Sequence, residues 1–371
     1  MLERLGRGRL VLALAAIFML TTAVPVSAAS VPQPPSGAVT LSGVGATFPA
    51  PIYTEWFAQY AGDFPNAQVK FDYAATGSGA GIKAIQGTPT ADYGASDAPM
   101  TNDDLSKVTA NGGVMHVPTV VGPVVLAYNV PGLKTTLKLT GPIIADIYSG
   151  KIMKWNDAAI AKVNKGVALP SLAITVVRRS DSSGTTFVFT SYLYAVSATW
   201  KKLLGSAGPT KSFSGWPVGI GAPRNAGVET RVATTKGAIG YMEFSYGLTS
   251  GLPMARIQNP AGNYVTPTTA AATAAAAGVT PPSDLRMQPL INAPGYSSWP
   301  IVSFTYLLVF RQMPDQAKGQ ALVSYVYWAL TSGQSFARGL GYAPLPASVK
   351  NAALAELHQI VQQAGGAPYW P

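Results

Sequence analysis

An α/β fold is predicted by three observations: β-branched apolar runs alternate with stretches of helical spacing, Gly/Ser turns join them, and the composition suits a packed core. Of 371 residues, 48% are hydrophobic and only 11% charged, so disorder of the main body is excluded, while 38 glycines and 30 prolines predict many turns. The length implies two domains.

The first segment, MLERLGRGRLVLALAAIFMLTTAVPVSAAS, is set apart from the fold. Arg4, Arg7 and Arg9 precede an apolar core from Leu10 to about Val24, and small residues follow at Val26-Ser27-Ala28. This is the pattern of a secretory signal, predicted to span residues 1–29 with cleavage near Ala28 or Ala29. Its core is shorter than the roughly 20 residues of a spanning helix. There is no cysteine, which excludes a cysteine-linked lipid anchor, disulfides and thiolate metal sites. A periplasmic or secreted, soluble protein is expected.

VTLSGVGATFPAP predicts a strand entering a glycine turn. IYTEWFAQYAGDFP predicts a helix, with Ile52, Trp56, Phe57 and Tyr60 at helical spacing and Gly62 and Pro65 as stops. AQVKFDYAATGSGAGIKAIQG repeats the order: a strand ending near Ala75, a Gly/Ser turn, and a helix from about Ala80. A third strand in ADYGASDAP delivers Asp97 at its end, and VMHVPTVVGPVVLAYNV reads as a strand buried on both faces. GPIIADIYSGKIMKWNDAAIAKVN carries two helical patterns around Gly150, and SLAITVVRRSDSSGTTFVFTSYLYAV again runs strand, turn, helix. The alanine-rich stretch between Pro267 and Pro281 is expected to be an exposed helix. WPIVSFTYLLVF is a buried strand, followed by a helix in QAKGQALVSYVYWALTSGQSFARGLG. The alternation predicts parallel pairing.

The net charge of +10 favours anionic partners. Its basic residues are scattered, without an aromatic-interleaved stripe, so no nucleic-acid partner is expected. Three strand-to-helix turns are candidates for receiving an oxyanion: Gly45-Ala46-Thr47-Phe48, Gly77-Ser78-Gly79-Ala80-Gly81 and Ser182-Ser183-Gly184-Thr185. A helix N-terminus offers unpaired N–H groups there, and open α/β sheets bind ligands at the carboxyl ends of their strands. Each turn taken singly is also an ordinary helix cap. Strand alternation turns Arg178 and Arg179 to opposite faces, and Asp181 can steady whichever guanidinium points inward. Asp97 is either a turn residue or an acceptor that tolerates a protonated oxyanion such as phosphate and rejects sulfate, which has no proton to offer. His116 and His358 are the only histidines, and no nucleophile elbow, metal cluster or P-loop is present, so no catalytic residue, metal or cofactor is expected.

GVGATFPAPIYTEW, GSGAGIK, DYGASDAPM, IYSGKIMKWND and VVRRSDSSGTTFVFTSYL together resemble the periplasmic phosphate-binding proteins that serve ABC transporters, over about Leu41 to Pro346. The resemblance implies the two-lobed, type II binding-protein fold, two α/β domains joined by a hinge. It puts residues 38–120 with 297–371 in one lobe and 121–296 in the other. It implies that Thr47, Phe48 (through its backbone), Ser78, Asp97, Arg179, Ser183, Gly184 and Thr185 hold inorganic phosphate, with Asp181 supporting Arg179. A monomer that delivers phosphate to the membrane permease subunits of an ABC importer is the expectation. The alternative from another class is a secreted phosphatase or phosphoryl-transfer enzyme using the same anion site. One departure is Gly77-Ser78-Gly79-Ala80-Gly81, where the family commonly has Gly-Ser-Ser-Gly-Gly.

Overall fold

The computed structural model describes residues 31–363 and 365–370, so the expected signal segment lies outside the described residues. The chain begins with β1 (Val39–Gly45), which buries alternate residues, and α1 (Ala50–Asp63), which buries Ile52, Trp56 and Tyr60 and half-buries Phe57. The helical spacing read in the sequence is thus the spacing of a core-facing stripe. β2 (Val69–Ala75) leads to α2 (Ser78–Ala84), which starts two residues before the expected Ala80. Gly77 makes this sharp entry, with φ +118°, and a Cβ there would lie 2.7 Å from Asp181 Oδ2. β3 (Tyr93–Ser96) ends just before Asp97, and α3 (Asn102–Ser106) starts in a capping box between Thr101 and Asp104.

β4 (Val114–Tyr128) is buried at all 15 residues, as its unbroken apolar sequence predicts. After it come β5 (Lys138–Leu139), α4 (Gly141–Tyr148), α5 (Ala158–Val163), β6 (Thr175–Arg179) and α6 (Gly184–Val196). α7 (Ala198–Leu204), β7 (Ile220–Ala222), α8 (Arg224–Thr234), β8 (Ala238–Glu243) and α9 (Phe244–Ser250) follow. β9 (Arg256–Gln258) and β10 (Tyr264–Val265) form a small sheet with β5. The chain ends with α10 (Thr269–Ala276), β11 (Leu290–Ile291), β12 (Ile301–Phe310), α11 (Gln316–Leu330) and α12 (Ala347–Leu357).

The main sheet runs β2-β1-β3-β12-β4-β8-β6-β7, with β11 beside β12. Pairing is parallel among β1, β2 and β3 and among β6, β7 and β8, as the alternation of strands and helices predicts. The centre corrects that expectation: β12 is antiparallel to β3 and β4, and β4 is antiparallel to β8. A strand buried on both faces carries no directional signal in its apolar pattern, so direction is decided by where the chain arrives from. β4 passes from the β1–β3 half into the β8–β6–β7 half, and β12 returns beside it. The β4–β12 register slips next to Thr305, leaving Thr119 of β4 as the extra residue of a bulge. The carboxyl ends of β1, β2, β3 and β6 carry the three turns and Asp97.

The alanine-rich helix exists, but it is not an exposed one. Ala271, Ala272, Ala275 and Ala276 are buried, and α10 packs on β4 and β12. The Ala271 carbonyl accepts from the backbone N–H of Trp299, whose own indole N–H donates to Val124 O at 2.9 Å. Methyl side chains let the helix approach the sheet closely, which a hydropathy reading takes for a bland surface. Among the described residues, no helix is long and apolar enough to cross a membrane.

This packing predicts that Ala272→Leu, which forces extra volume against the sheet, lowers unfolding free energy by about 1–3 kcal/mol. Thr273→Ala on the exposed side of the same helix should change it by no more than about 0.5 kcal/mol. Denaturant melts of both variants measure the contrast, and similar effects at the two positions would contradict the buried face.

Candidate anion-binding site

Alternation along β6 leaves Arg179 only 3% exposed and Arg178 half-buried. Arg179 holds a two-pronged bond to Asp181: Nε donates to Oδ1 at 2.7 Å, and Nη2 donates to Oδ2. Nη1 donates to Thr185 Oγ1 at 3.3 Å, and the backbone N–H donates to the Tyr241 hydroxyl at 3.1 Å. Asp181 Oδ1 also accepts from Arg224 N at 3.0 Å. Burial works to raise the Asp181 pKa, but the hydrogen bonds and charge of Arg179 outweigh it and hold the carboxylate below its ordinary range. Ser183 caps α6, its Oγ accepting from Thr186 N at 3.1 Å, and Gly184 and Thr185 make the buried first turn. Ser183 is therefore the ordinary cap that Ser supplies, and its turn is also part of this wall.

The facing wall comes from the ends of β1, β2 and β3. Ser78 Oγ accepts from Gly184 N at 2.9 Å and from Asp97 N at 3.2 Å, and donates to Asp97 Oδ2 at 3.3 Å. Gly79 N donates to Ser182 O at 3.1 Å. The two walls meet closely at Gly184: a Cβ there would stand 2.5 Å from Asp97 Cβ and 2.6 Å from Ser78 Oγ. Asp97 is 1% exposed, and its Oδ1 accepts from Thr305 Oγ1 of β12 at 2.9 Å. Burial pushes its carboxyl up to about 7, against the Thr305 hydrogen bond, the Arg179 charge and the Ser78 hydroxyl. The Thr47 carbonyl accepts from the Tyr246 hydroxyl at 2.7 Å, and the Phe48 carbonyl from the Tyr342 hydroxyl at 2.6 Å. At the rim, Lys211 and Asp104 pair at 3.1 Å, and Lys211 O accepts from Ser183 N.

The structure thus brings Thr47, Phe48, Ser78, Asp97, Arg179, Ser183, Gly184 and Thr185 to one buried locus with Asp181 behind the arginine. It adds residues that the sequence reading missed. Asn225 is fully buried, with Nδ2 3.0 Å from Thr47 Oγ1 and 3.4 Å from Thr185 Oγ1. Its segment, GIGAPRNAG, is a further strand-to-helix turn, and that was the signal available for it. Thr305 had a fainter signal, as one of few hydroxyls in an apolar strand. Glu243 ends β8 and caps α9: its Oε2 accepts from Ser245 N at 2.9 Å and lies 3.1 Å from the oxygen of Tyr342. Burial pushes Glu243 up to about 8, against the hydrogen bonds from Ser245. His116 Nε2 accepts from Met100 N at 3.0 Å, and burial lowers its pKa to about 4, so this ring is neutral and committed to the fold. Among the described residues, no three His, Cys, Asp or Glu side chains are grouped to hold a metal ion.

Chemically, this is a buried polar nest with one permanent cation, several N–H and O–H donors, and one carboxylate facing them. Comparison with known proteins gives the same class of molecule. A family profile described as a PBP superfamily domain matches residues 30–330. The phosphate-binding protein PstS of Xylella fastidiosa is 38% identical over 320 residues, 84% of each chain. That of Pasteurella multocida is 38% identical over 335 residues, 90% of this chain and 94% of its own. Among solved structures, a high affinity periplasmic phosphate-binding protein, PfluDING, bound with phosphate, aligns with a TM-score of 0.69 at 23% identity, over 89% of this chain and 96% of that one. A phosphate binding protein from Stenotrophomonas maltophilia aligns with a TM-score of 0.67 at 19% identity, covering 89% and 96%. The fold is the two-lobed binding-protein fold, and the chain belongs to the PBP superfamily and, within it, to the family of the PstS phosphate-binding proteins.

Proposed function

We propose that this protein captures inorganic phosphate between its two lobes and delivers it to the permease subunits of an ABC importer, making and breaking no covalent bond. The observation that carries the reading is the pairing of a buried, permanently charged Arg179 with a buried Asp97 in a locus otherwise made of donors. Tetrahedral oxyanions fit the guanidinium and the N–H groups at the start of α6. Asp97 accepts the one remaining proton of dibasic phosphate. In this reading residues 38–120 with 297–371 form one lobe and 121–296 the other, with β4 and the segment leading into β12 as the connections that bend. The ligand contacts are those of Thr47, the Phe48 backbone, Ser78, Asp97, Arg179, Ser183, Gly184 and Thr185. Export with cleavage near Ala28 or Ala29 and a monomeric, periplasmic or secreted form complete the reading.

The function is tested by titration calorimetry of ligand-stripped protein with phosphate and sulfate at about pH 8.5, above the raised pKa of Asp97. Phosphate should bind, and sulfate should be rejected, because two acceptors would face each other without a proton between them. Asp97→Asn supplies donors and removes the charge, so the phosphate-to-sulfate affinity ratio should fall by on the order of a hundredfold or more. An unchanged ratio would reduce Asp97 to a turn residue.

Gly184→Ala tests the close approach of the walls. The added methyl meets Asp97 and Ser78 across the site, so phosphate affinity should drop by on the order of a hundredfold, and the same overpacking should lower the unfolding free energy of the ligand-free protein by about 1–3 kcal/mol. Retained affinity would mean that the walls do not need to come this close.

Stability without ligand should fall as pH rises. The carboxyls of Asp97 and Glu243 are raised from 3.8 and 4.5 to about 7 and about 8, so their contribution is complete below the lower values and is lost as pH climbs through the higher ones. Asp104 and Asp181 are lowered, and their contribution disappears only under more acidic conditions, outside this window. His116, lowered to about 4, works the other way up to about pH 6.5, so the denaturation midpoint should decline most clearly between about pH 6.5 and about pH 8.5, and Glu243→Gln should flatten part of the slope. Parallel slopes in both proteins would count against a titrating Glu243.

A further inference from the structure

Asn225, the second residue of α8, lies buried between the two walls. The orientation of its amide is decided by its neighbours. The backbone N–H of Glu243, 3.3 Å from Oδ1, needs an acceptor, so the oxygen faces it and Nδ2 faces the hydroxyls of Thr47 and Thr185. Thr47 Oγ1 also accepts from the backbone N–H of Asn225 at 3.3 Å, and Thr185 Oγ1 also accepts from Arg179 Nη1 at 3.3 Å. A hydroxyl has two lone pairs and one proton. Each of these oxygens already accepts two hydrogen bonds, and only its proton is left.

Building on the phosphate reading, we infer that Asn225 is a positioning residue that makes the Thr47 and Thr185 hydroxyls obligate donors to the anion, leaving Asp97 as the acceptor for the anion's own proton. The hydroxyls sit on opposite walls, so one amide sets the polarity of both. An oxyanion carrying one proton matches this arrangement: its bare oxygens meet donors and its O–H meets Asp97. A second ligand proton, as in monobasic phosphate, would point at a donor. Asn225 thereby selects the protonation state of the ligand without touching it. The charged and titratable groups around the two hydroxyls are Arg179 and Asp181 at the end of β6, Asp97 after β3, Glu243 at the end of β8, and the phenols of Tyr241 and Tyr246. All of them remain when only Asn225 is changed.

The experiment is calorimetric titration of inorganic phosphate into the wild type, Asn225→Leu and Asn225→Ala at about pH 5.5, where the monobasic form dominates, and about pH 8.5, where the dibasic form does. Either replacement frees one lone pair on each hydroxyl, which can then rotate and accept. Binding at the higher pH should weaken on the order of tenfold or more, and binding at the lower pH much less, so the affinity ratio shifts toward acid. Leucine keeps the bulk and alanine leaves space, so a shift common to both separates hydrogen bonding from sterics, and if leucine disturbs the fold, by thermal melt, alanine alone decides. An equal proportional loss at both pH values, or no loss, would overturn the inference while leaving phosphate binding intact. Failure of the wild type to bind phosphate would instead sink the underlying reading.

Discussion

Arg179 is buried, and a guanidinium does not give up its proton in a protein, so its charge has to be met inside the fold. Asp181 meets it through two parallel hydrogen bonds, and this pair orders much of what surrounds it. The same carboxylate receives the backbone N–H that opens α8, and the guanidinium's remaining edge is turned toward Thr185 at the start of α6. The two helices that supply one wall are therefore referenced to a single ion pair. In the proposed reading, an anion added to this wall would meet a cation whose orientation is already set, which would remove part of the ordering cost of binding.

The facing wall presents the opposite problem, a carboxylate without a cation in contact. Asp97 relies on Thr305 and Ser78 for hydrogen bonds, and burial leaves its proton poised near neutrality. Glu243 is a second carboxyl in the same state, tied to Ser245 and Tyr342. Burying two such groups is destabilising by itself, and proteins commonly retain strain of this kind where a ligand acts. Here the walls touch through Ser78 and Gly184 and through Thr47 and Asn225, contacts that join the β1–β3 side of the sheet to its β6–β8 side. Ligand contacts added to this set would favour the closed arrangement, and a difference in shape between closed and open forms is what a transporter can read.

Local pattern made a good part of this molecule legible in the sequence. The stripe of Ile52, Trp56 and Tyr60, the all-apolar β4, the strand ending at Asp97 and the Ser183 turn are short-range signals, and each appears within a few residues of where its pattern lies. Alternation along Thr175–Arg179 separated the two arginines, and the glycines and hydroxyls of three turns marked the surface on which they converge. The motifs carried the family resemblance as well. These features are determined by neighbours in the chain, through backbone preference and the period of burial.

What the tertiary structure alone decided depends on residues far apart in the chain. Asn225 acts on Thr47 across 178 positions, and Thr305 on Asp97 across 208. Neither asparagine nor threonine announces such a partner locally, since both are ordinary turn and strand residues. The directions of β4 and β12 were likewise undecided, because a strand buried on both faces has the same apolar pattern in either orientation. α10 was misread for a related reason: alanine is tolerated on a helix surface and in a tight helix–sheet contact, and only the position of β4 distinguishes the two. The sequence by itself determined which elements form and which turns carry donors, because those follow from local sterics and periodicity. Which donors meet which acceptors, and hence the polarity of the site, was decided by the packing of the two halves, because hydrogen-bond partnership is a property of distance in space.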